Sequence, residues 1–168
     1  DKRILDRVED KYRSSRSDWV GITGRARVFA YSPERVKTLP SSIDQLTLPI
    51  FRAKIGIAPT NSSFQAFITA LIQSRGEAAA VNWLERLKAN DVKLYEKNSQ
   101  IVAAIDAGEI DLGLVNHYYL WEVSKALGRE IAVANGFFAP GDTGNMINVA
   151  GAGILKTSTN VQVSLELL

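Results

Sequence analysis

Two adjacent tyrosines, Tyr118 and Tyr119, follow an apolar stretch that ends at Val115. A phenol ionises near pH ~10 in water, but a bound trivalent cation would displace the proton and take the oxygen as a ligand. Hard oxygen donors in a chain without cysteine favour a hard, highly charged cation. Consecutive side chains of a strand point to opposite faces, so the two oxygens can meet one ion only after the strand has turned. The pair therefore indicates either a metal site or two half-buried tyrosines that pack at a strand end.

Polar residues follow three predicted strands, at 54–58, 92–95 and 110–115. In an open α/β sheet, ligands collect beyond the carboxyl ends of the strands. The first turn of a helix adds free backbone N–H groups and the positive end of the helix dipole, which together attract an anion. The same residue types also cap helices without binding anything, and the sequence leaves both alternatives open. The candidate residues are Asn61, Ser62, Ser63, Asn98, Ser99 and Asn116.

Few other residues suggest chemistry. His117 is the only histidine, so neither a catalytic triad nor a multi-histidine metal site can be built around it. Arg25 and Arg27 share one face of a long predicted strand, where they either meet an anion or form the solvent face of an edge strand. The sequence contains no obvious pair of catalytic carboxylates and no serine–histidine arrangement. The residues therefore give little support to an enzyme, and the alternative of an α/β enzyme on such a sheet has no acid–base pair in its favour. We expect that the protein is not an enzyme.

Alternating strand and helix patterns must position these residues. Apolar and polar side chains alternate over 19–31, which predicts one long strand. Further along, short apolar strands alternate with helices that have one apolar face, which predicts an α/β fold, a three-layer sandwich with a mostly parallel sheet. The last residues, 161–167, alternate with a period of two and fit either a strand or a short helix. The other predicted elements are strand 54–58, a helix closed by Gly76, helix 78–89, strand 92–95, a helix capped by Asn98 or Ser99, strand 110–115, helix 120–127, strand 130–138 and strand 146–155.

The composition is that of an ordinary globular domain. The 168 residues fit one domain, 1–168, which can bury a core without disulfides. The net charge is +2 and the sequence contains no basic stripe interleaved with aromatic residues, so nucleic-acid binding is not expected. No apolar run approaches the ~18 residues of a membrane-spanning helix, and no signal peptide is visible in this chain.

Five stretches taken together resemble the ferric-iron-binding substrate proteins of bacterial ABC importers, in the type II periplasmic-binding-protein superfamily. The specific part of the resemblance is a double tyrosine after an apolar strand ending in Asn116, combined with a Pro-Thr loop that is rich in serine. The matching stretches are 19–28, 54–64, 113–119, 137–144 and 149–157.

The resemblance implies two lobes that close on one ferric ion in the periplasm or another extracytoplasmic space. Tyr118 and Tyr119 would be paired phenolate ligands from the second lobe, and 19–31 and 130–138 would be strands that cross between the lobes. A synergistic anion, phosphate or carbonate, would complete the coordination of Fe³⁺. The first lobe and an ABC permease would be the partners in the intact system. The implied anion-binding residues are Asn61, Ser62, Ser63, Asn98, Asn116 and Arg25.

The chain also departs from the family pattern. Members are about twice as long, and the histidine and carboxylate ligands that some of them use lie in a first-lobe segment not seen here. We therefore expect one lobe with hinge strands, which binds iron more weakly than an intact member. The alternative is an isolated or engineered lobe that folds alone but no longer binds metal appreciably. Apolar hinge surface left uncovered would also allow the chain to form a homodimer.

Overall fold

The computed structural model describes residues 2–167, with side chains through residue 166. Within residues 2–167, no helix is both long and apolar enough to cross a membrane. The helices are α1 (Lys2–Leu5), α2 (Ser62–Arg75), α3 (Glu77–Ala89), α4 (Asn98–Asp106), α5 (Tyr119–Leu127) and α6 (Val161–Leu167). The strands are β1 (Val20–Tyr31), β2 (Ile55–Ile57), β3 (Lys93–Leu94), β4 (Leu112–Asn116), β5 (Ala134–Gly136) and β6 (Ile147–Ala152). Short 3-10 helices span Asp10–Tyr12, Ile43–Thr47, Pro49–Phe51 and Thr143–Asn145.

The chain forms two compact units. The first comprises residues 1–25 and 147–168, and the second comprises residues 26–146. In the first unit, β6 pairs with β1, and Arg13 forms an antiparallel bridge with Val20. The tail, for which the sequence allowed a strand or a helix, is the helix α6. That residues 1–168 are one domain, a lobe with its hinge strands, stays a prediction.

The sheet of the second unit has the strand order β3-β2-β4-β1-β5. β2 runs parallel to β3 and β4, since each of these strands is reached through helices that cross over the sheet. β1 runs antiparallel to both β4 and β5. The α/β class is confirmed, whereas the sheet is mixed and not mostly parallel. The physical reason is that no helical crossover leads into β1, and such crossovers are what make paired strands parallel.

Helices cover both faces of this sheet, so the predicted three-layer sandwich is confirmed. Alternation along β1 divides the core: Phe29 packs with the cluster on the α2 and α3 face, while Val28 and Ala30 pack with the cluster on the α4 and α5 face. On the first face, the rings of Phe67 and Trp83 meet edge to face with centroids 5.7 Å apart. Burying side chains of this size stabilises the fold by about 1.5–3 kcal/mol each.

The helices that begin near the candidate residues start where polar residues precede apolar ones. Asn61 is the N-cap of α2, and Gly76, with φ at +85°, ends that helix as predicted. The N-cap of α4 is Lys97, so the prediction that Asn98 or Ser99 caps this helix is wrong. Asn98 is instead the first helical residue, and its side chain is buried.

Strand β5 is shorter than the predicted strand 130–138. Residues before it are held by a carboxylate, because Asp106 accepts a hydrogen bond from the backbone N–H of Ala132 and pairs with Arg129. After the strand, the backbone of Phe138 bonds the side chain of Asn145 in place of a neighbouring strand. Side-chain contacts at both ends thus take backbone groups that a longer ladder would have used.

Candidate metal and anion site

The tyrosine pair lies where β4 ends and α5 begins. β4 is buried along its whole length and ends at Asn116. Tyr118 has φ −80° and ψ −11° and is the N-cap of α5, whose first residue is Tyr119. Because the backbone here is helical and not extended, consecutive side chains do not alternate between opposite faces. The two rings are stacked, with centroids 4.6 Å apart and an interplanar angle of 29°.

The Tyr118 phenol influences the ionisation of the Tyr119 phenol. Partial burial raises the pKa of Tyr119, a hydrogen bond with Tyr118 raises that pKa further, and a hydrogen bond with Asn98 opposes the rise. The amide Nδ2 of Asn116 lies 3.5 Å from the hydroxyl of Tyr118. With its pKa above the ordinary value near ~10, the Tyr119 phenol is neutral at physiological pH. Only a strongly charged cation would displace its proton.

Ser63 is the hub of a polar network beside the phenols. The Asn61 side chain caps α2, because its Oδ1 accepts from the Ser63 backbone N–H at 3.0 Å and from the Ser63 hydroxyl at 2.7 Å. The Ser63 Oγ in turn accepts hydrogen bonds from Arg27 Nη1 at 3.0 Å and from Asn98 Nδ2 at 3.1 Å. Residues from the start of α2, from the start of α4 and from β1 therefore meet at one oxygen atom, the Ser63 Oγ.

Arg27 is a buried cation in this network. Its side chain is 2% exposed, and Nη1 also lies 3.4 Å from Asn116 Oδ1. In the described part of the chain, no carboxylate pairs with it, and Nη2 has no hydrogen-bond partner. Burial lowers the pKa of Arg27 to about 10, while the phenols of Tyr119 and Tyr118 act in the opposite direction. The guanidinium is therefore charged at pH 7 and still has a donor to offer.

A second polar atom is also left without a partner. Asn98 is 1% exposed, its Nδ2 donates to Ser63, and its Oδ1 is buried without a hydrogen bond among the described residues. Buried polar atoms are nearly always satisfied in folded proteins, so an orphan acceptor and an orphan donor on two side chains that both bond Ser63 Oγ call for an explanation. A bound group that can both accept and donate hydrogen bonds would satisfy both.

The structure brings most of the predicted site residues together. Ser62 differs, since it is exposed as the first residue of α2. Arg25 also differs, because it belongs to the first compact unit, where its Nε is buried without a partner. The predicted residues that share the network around Ser63 or the phenols are Asn61, Ser63, Asn98, Asn116, Tyr118 and Tyr119.

Arg27, and not the predicted Arg25, is the arginine that contacts the polar network around Ser63. The two arginines share one face of β1, and the sequence alternatives for them were an anion contact or the solvent face of an edge strand. The β1 backbone is bonded on both sides at Arg27, since this residue pairs with Asn116 of β4 and its N–H donates to the carbonyl oxygen of Met146 at 2.8 Å. In the structure, Arg27 is the first residue of the buried run Arg27–Ala30 within β1.

Acidic and histidine side chains do not form a competing metal site. Across residues 2–167, no three of the His, Asp and Glu side chains cluster closely enough to hold an ion.

Residues 1–161 match the sequence profile of the bacterial extracellular solute-binding proteins. The chain belongs to this family. This solute-binding protein is similar to the Fe(3+)-binding periplasmic protein of Serratia marcescens, with 32% identity over 165 residues that cover 96% of the chain and 48% of the relative. It is also similar to the major ferric iron-binding protein of Neisseria meningitidis, with 38% identity over 154 residues that cover 88% of the chain and 45% of the relative.

The fold of this solute-binding protein is also found in a solved iron complex. The crystal structure of iron-bound HitA from Pseudomonas aeruginosa superimposes with a TM-score of 0.85 at 33% identity, covering 99% of the chain and 54% of that protein. The family and the periplasmic-binding-protein fold predicted from the sequence are thereby confirmed. The chain spans about half the length of the relatives it matches. The names of these relatives describe iron-binding proteins.

Proposed function

We propose that the chain is one half of a ferric-ion-binding substrate protein and that it captures Fe³⁺ through Tyr118 and Tyr119. The observation that carries the proposal is the stacked phenol pair next to Arg27, a buried cation without a carboxylate partner. Two phenols packed at a strand end for stability alone would not require a buried guanidinium beside them. A desolvated cation is costly unless a negative charge arrives to meet it.

Charge balance favours an anion in addition to the metal. Two phenolates and one guanidinium leave a ferric site with a net positive charge of two units. A doubly charged anion such as hydrogen phosphate or carbonate would neutralise that excess in a partly buried site, where uncompensated charge is expensive. Hard anions of this kind also complete the oxygen coordination that a hard metal prefers.

The polar network supplies the contacts for such an anion. Arg27 Nη2 would donate to it, and the start of α2 would add the positive end of a helix dipole next to the Asn61 and Ser63 cap. Asn98 Oδ1, which lacks a partner in the described structure, would accept from a protonated oxygen such as that of hydrogen phosphate. The anion would thus lie between the arginine and the phenols. Arg25 and Ser62 stay predictions for this role.

The wider system follows from the relatives. We propose that the intact protein works in the periplasm with a second half of similar size and an ABC permease. Half of a ligand set binds a metal more weakly than a whole one, so this chain should hold iron less tightly than a full-length relative. Exposed apolar residues of the first unit, including Trp19, Ile22 and Leu155, would allow two copies to associate.

The metal role is tested by titrating the 168-residue chain with ferric nitrilotriacetate in phosphate buffer. Phenolate ligands produce a visible charge-transfer band with Fe³⁺, so we expect a band that saturates at one iron per chain. Tyr118→Phe combined with Tyr119→Phe should abolish it. The matched control is Tyr95→Phe, which removes a phenol bonded to Glu109 on another part of the surface and should leave the band unchanged.

Two outcomes would contradict the proposal. One is a wild-type chain without a band, which would favour the alternative of a lobe that folds but does not bind metal. The other is a band that survives loss of both tyrosines. A circular dichroism spectrum and a thermal unfolding curve of each variant show whether the fold is intact.

A further inference from the structure

His117 stands at the point where the β1–β4 ladder ends. The last pair of that ladder joins Arg27 to Asn116, so Ala26 and His117 would be the next partners. The backbone N–H of His117 does donate to the Ala26 carbonyl oxygen, at 3.0 Å. In a regular antiparallel pair, the N–H of Ala26 would return the bond to the His117 carbonyl oxygen. Here that return bond is replaced.

The imidazole takes over as the acceptor. The N–H of Ala26 donates to His117 Nδ1 at 3.2 Å, and the carbonyl oxygen of His117 accepts instead from Asn135 Nδ2 of β5 at 2.8 Å. A backbone N–H can only donate, so Nδ1 carries no proton and the neutral ring has its proton on Nε2. The N–H and carbonyl groups of Ala26 and His117 thus all keep a partner while the chain turns away from the sheet.

The same imidazole contacts the first tyrosine. The rings of His117 and Tyr118 meet edge to face, with centroids 5.6 Å apart and an interplanar angle of 86°. Tyr118 then stacks on Tyr119. A ring fixed to β1 by a hydrogen bond therefore contacts the Tyr118 ring of the stacked pair.

We propose that His117 is a positioning residue for the tyrosine pair and not a metal ligand. By accepting the Ala26 N–H, its imidazole ends the ladder and lets the backbone enter the helical conformation that places both phenols on one side. The hydrogen bond to Nδ1 has the larger share, because it fixes the main chain at the turn, and the ring contact is secondary. The proposal rests on the proposed function only in that these phenols are taken to bind Fe³⁺.

Three variants of the 168-residue chain separate the two contacts. His117→Asn keeps an acceptor where Nδ1 lies and removes the ring. His117→Phe keeps an aromatic edge and removes the acceptor. His117→Ala removes both. Each is measured for hydrogen exchange of the Ala26 amide, for the nuclear Overhauser effect between the Tyr118 and Tyr119 rings, and for ferric affinity from the visible band.

We expect the asparagine variant to resemble the wild type, with a protected Ala26 amide and an intact ring-to-ring effect. Its ferric affinity should stay well within the roughly tenfold loss that removal of an orienting group usually causes, because the acceptor for the Ala26 N–H is retained. The phenylalanine and alanine variants should exchange the Ala26 amide rapidly and lose the ring-to-ring effect. Their ferric affinity should fall by about tenfold or more, the usual result of losing a group that orients a metal ligand.

The opposite pattern would overturn the proposal. If His117→Asn weakens iron binding as much as His117→Ala, the ring or a direct metal bond is what matters. If His117→Phe keeps the amide protected and the rings in contact, the hydrogen bond does not position the pair. The amide and ring measurements need no metal, so they decide the role of His117 even if the wild-type chain gives no ferric band. A missing band would count against the proposed function and not against the role of His117.

Discussion

An arginine from elsewhere in the chain lies near each end of β4, and only one of the two guanidinium groups has a carboxylate partner in the described structure. At the amino end, Arg35 Nε pairs with Asp111 Oδ1 at 2.6 Å. Its Nη2 donates to the carbonyl oxygens of Ile105 at 2.6 Å and Ile110 at 3.0 Å. The fold itself supplies both the negative charge and the acceptors that this guanidinium needs.

At the carboxyl end, Arg27 is more deeply buried and less completely bonded. Nη1 reaches the Ser63 hydroxyl and the Asn116 amide oxygen, both of which are neutral. Nη2 reaches no acceptor in residues 2–167. A guanidinium whose partners come from the fold stabilises the fold, whereas one left incomplete in a buried place is suited to a ligand. The comparison therefore separates a structural end of the sheet from a binding end.

The largest effect should come from Arg27→Met, which removes the charge and keeps a similar apolar stem. We expect phosphate affinity to fall by about a hundredfold, since truncating one partner of a buried charged contact costs ~2–5 kcal/mol. The measurement is isothermal titration calorimetry with inorganic phosphate, with and without Fe³⁺. Arg27→Lys is the matched control and should recover part of the affinity, because it keeps the charge without the planar fork.

An unchanged phosphate affinity in Arg27→Met would mean that the buried arginine serves the fold and would remove the distinction between the two ends. Thermal unfolding without phosphate guards against a trivial loss of structure. We expect the free energy of unfolding to change little, because the variant also removes a desolvated charge.

The next largest effect should be on the stability of the fold and not on phosphate binding. Arg35→Met leaves the two carbonyl oxygens and Asp111 without their main donor, and we expect the free energy of unfolding to fall by about 1–3 kcal/mol. We expect a loss near the lower end of this range for two reasons. Lys54 Nζ lies 3.7 Å from Asp111 Oδ2 and still offers that carboxylate a cation, and Arg35 is partly exposed to solvent. Urea unfolding measures the loss. Phosphate affinity should stay as in the wild type, and a parallel drop in both quantities would contradict the separation of roles.

The sequence was sufficient to find the phenols but not the arginine beside them. Tyr118 and Tyr119 could be identified because their neighbours, an apolar strand and a following helix, are local patterns. The choice between Arg25 and Arg27 is different, because both have the same periodicity in β1. Which of them is buried depends on β4, β5 and the start of α2, all distant in sequence. Periodicity gives the face of a strand and not the position at which the sheet covers it.

Strand direction and helix capping failed for related reasons. The sequence pattern of short strands and helices favours parallel pairing, yet β1 pairs antiparallel on both sides because it lies between β4 and β5, an arrangement set by long-range packing. Asn98 has the residue type of a cap but is drawn into the interior, where it bonds Ser63. In this case the departure from the local rule marks a residue of the candidate site, as is often found where function competes with stability.

The smallest of these effects comes from a substitution that makes the binding end resemble the structural end. Asn116→Asp replaces an amide by a carboxylate of the same shape whose oxygen lies within 3.4 Å of Arg27 Nη1. Arg27 would then have an internal counter-charge, as Arg35 has in Asp111. We expect phosphate affinity in the metal-free chain to fall about fivefold, a difference of ~1 kcal/mol. Calorimetry measures the affinity, and Asn82→Asp, an amide-to-carboxylate change at an exposed position of α3 that also adds a negative charge, is the control. If Asn116→Asp binds phosphate as the wild type does, the anion does not depend on an unpaired Arg27. If it binds less while Asn82→Asp does not, the unpaired guanidinium is what selects the ligand, because a carboxylate beside it competes directly with the anion for the same charge.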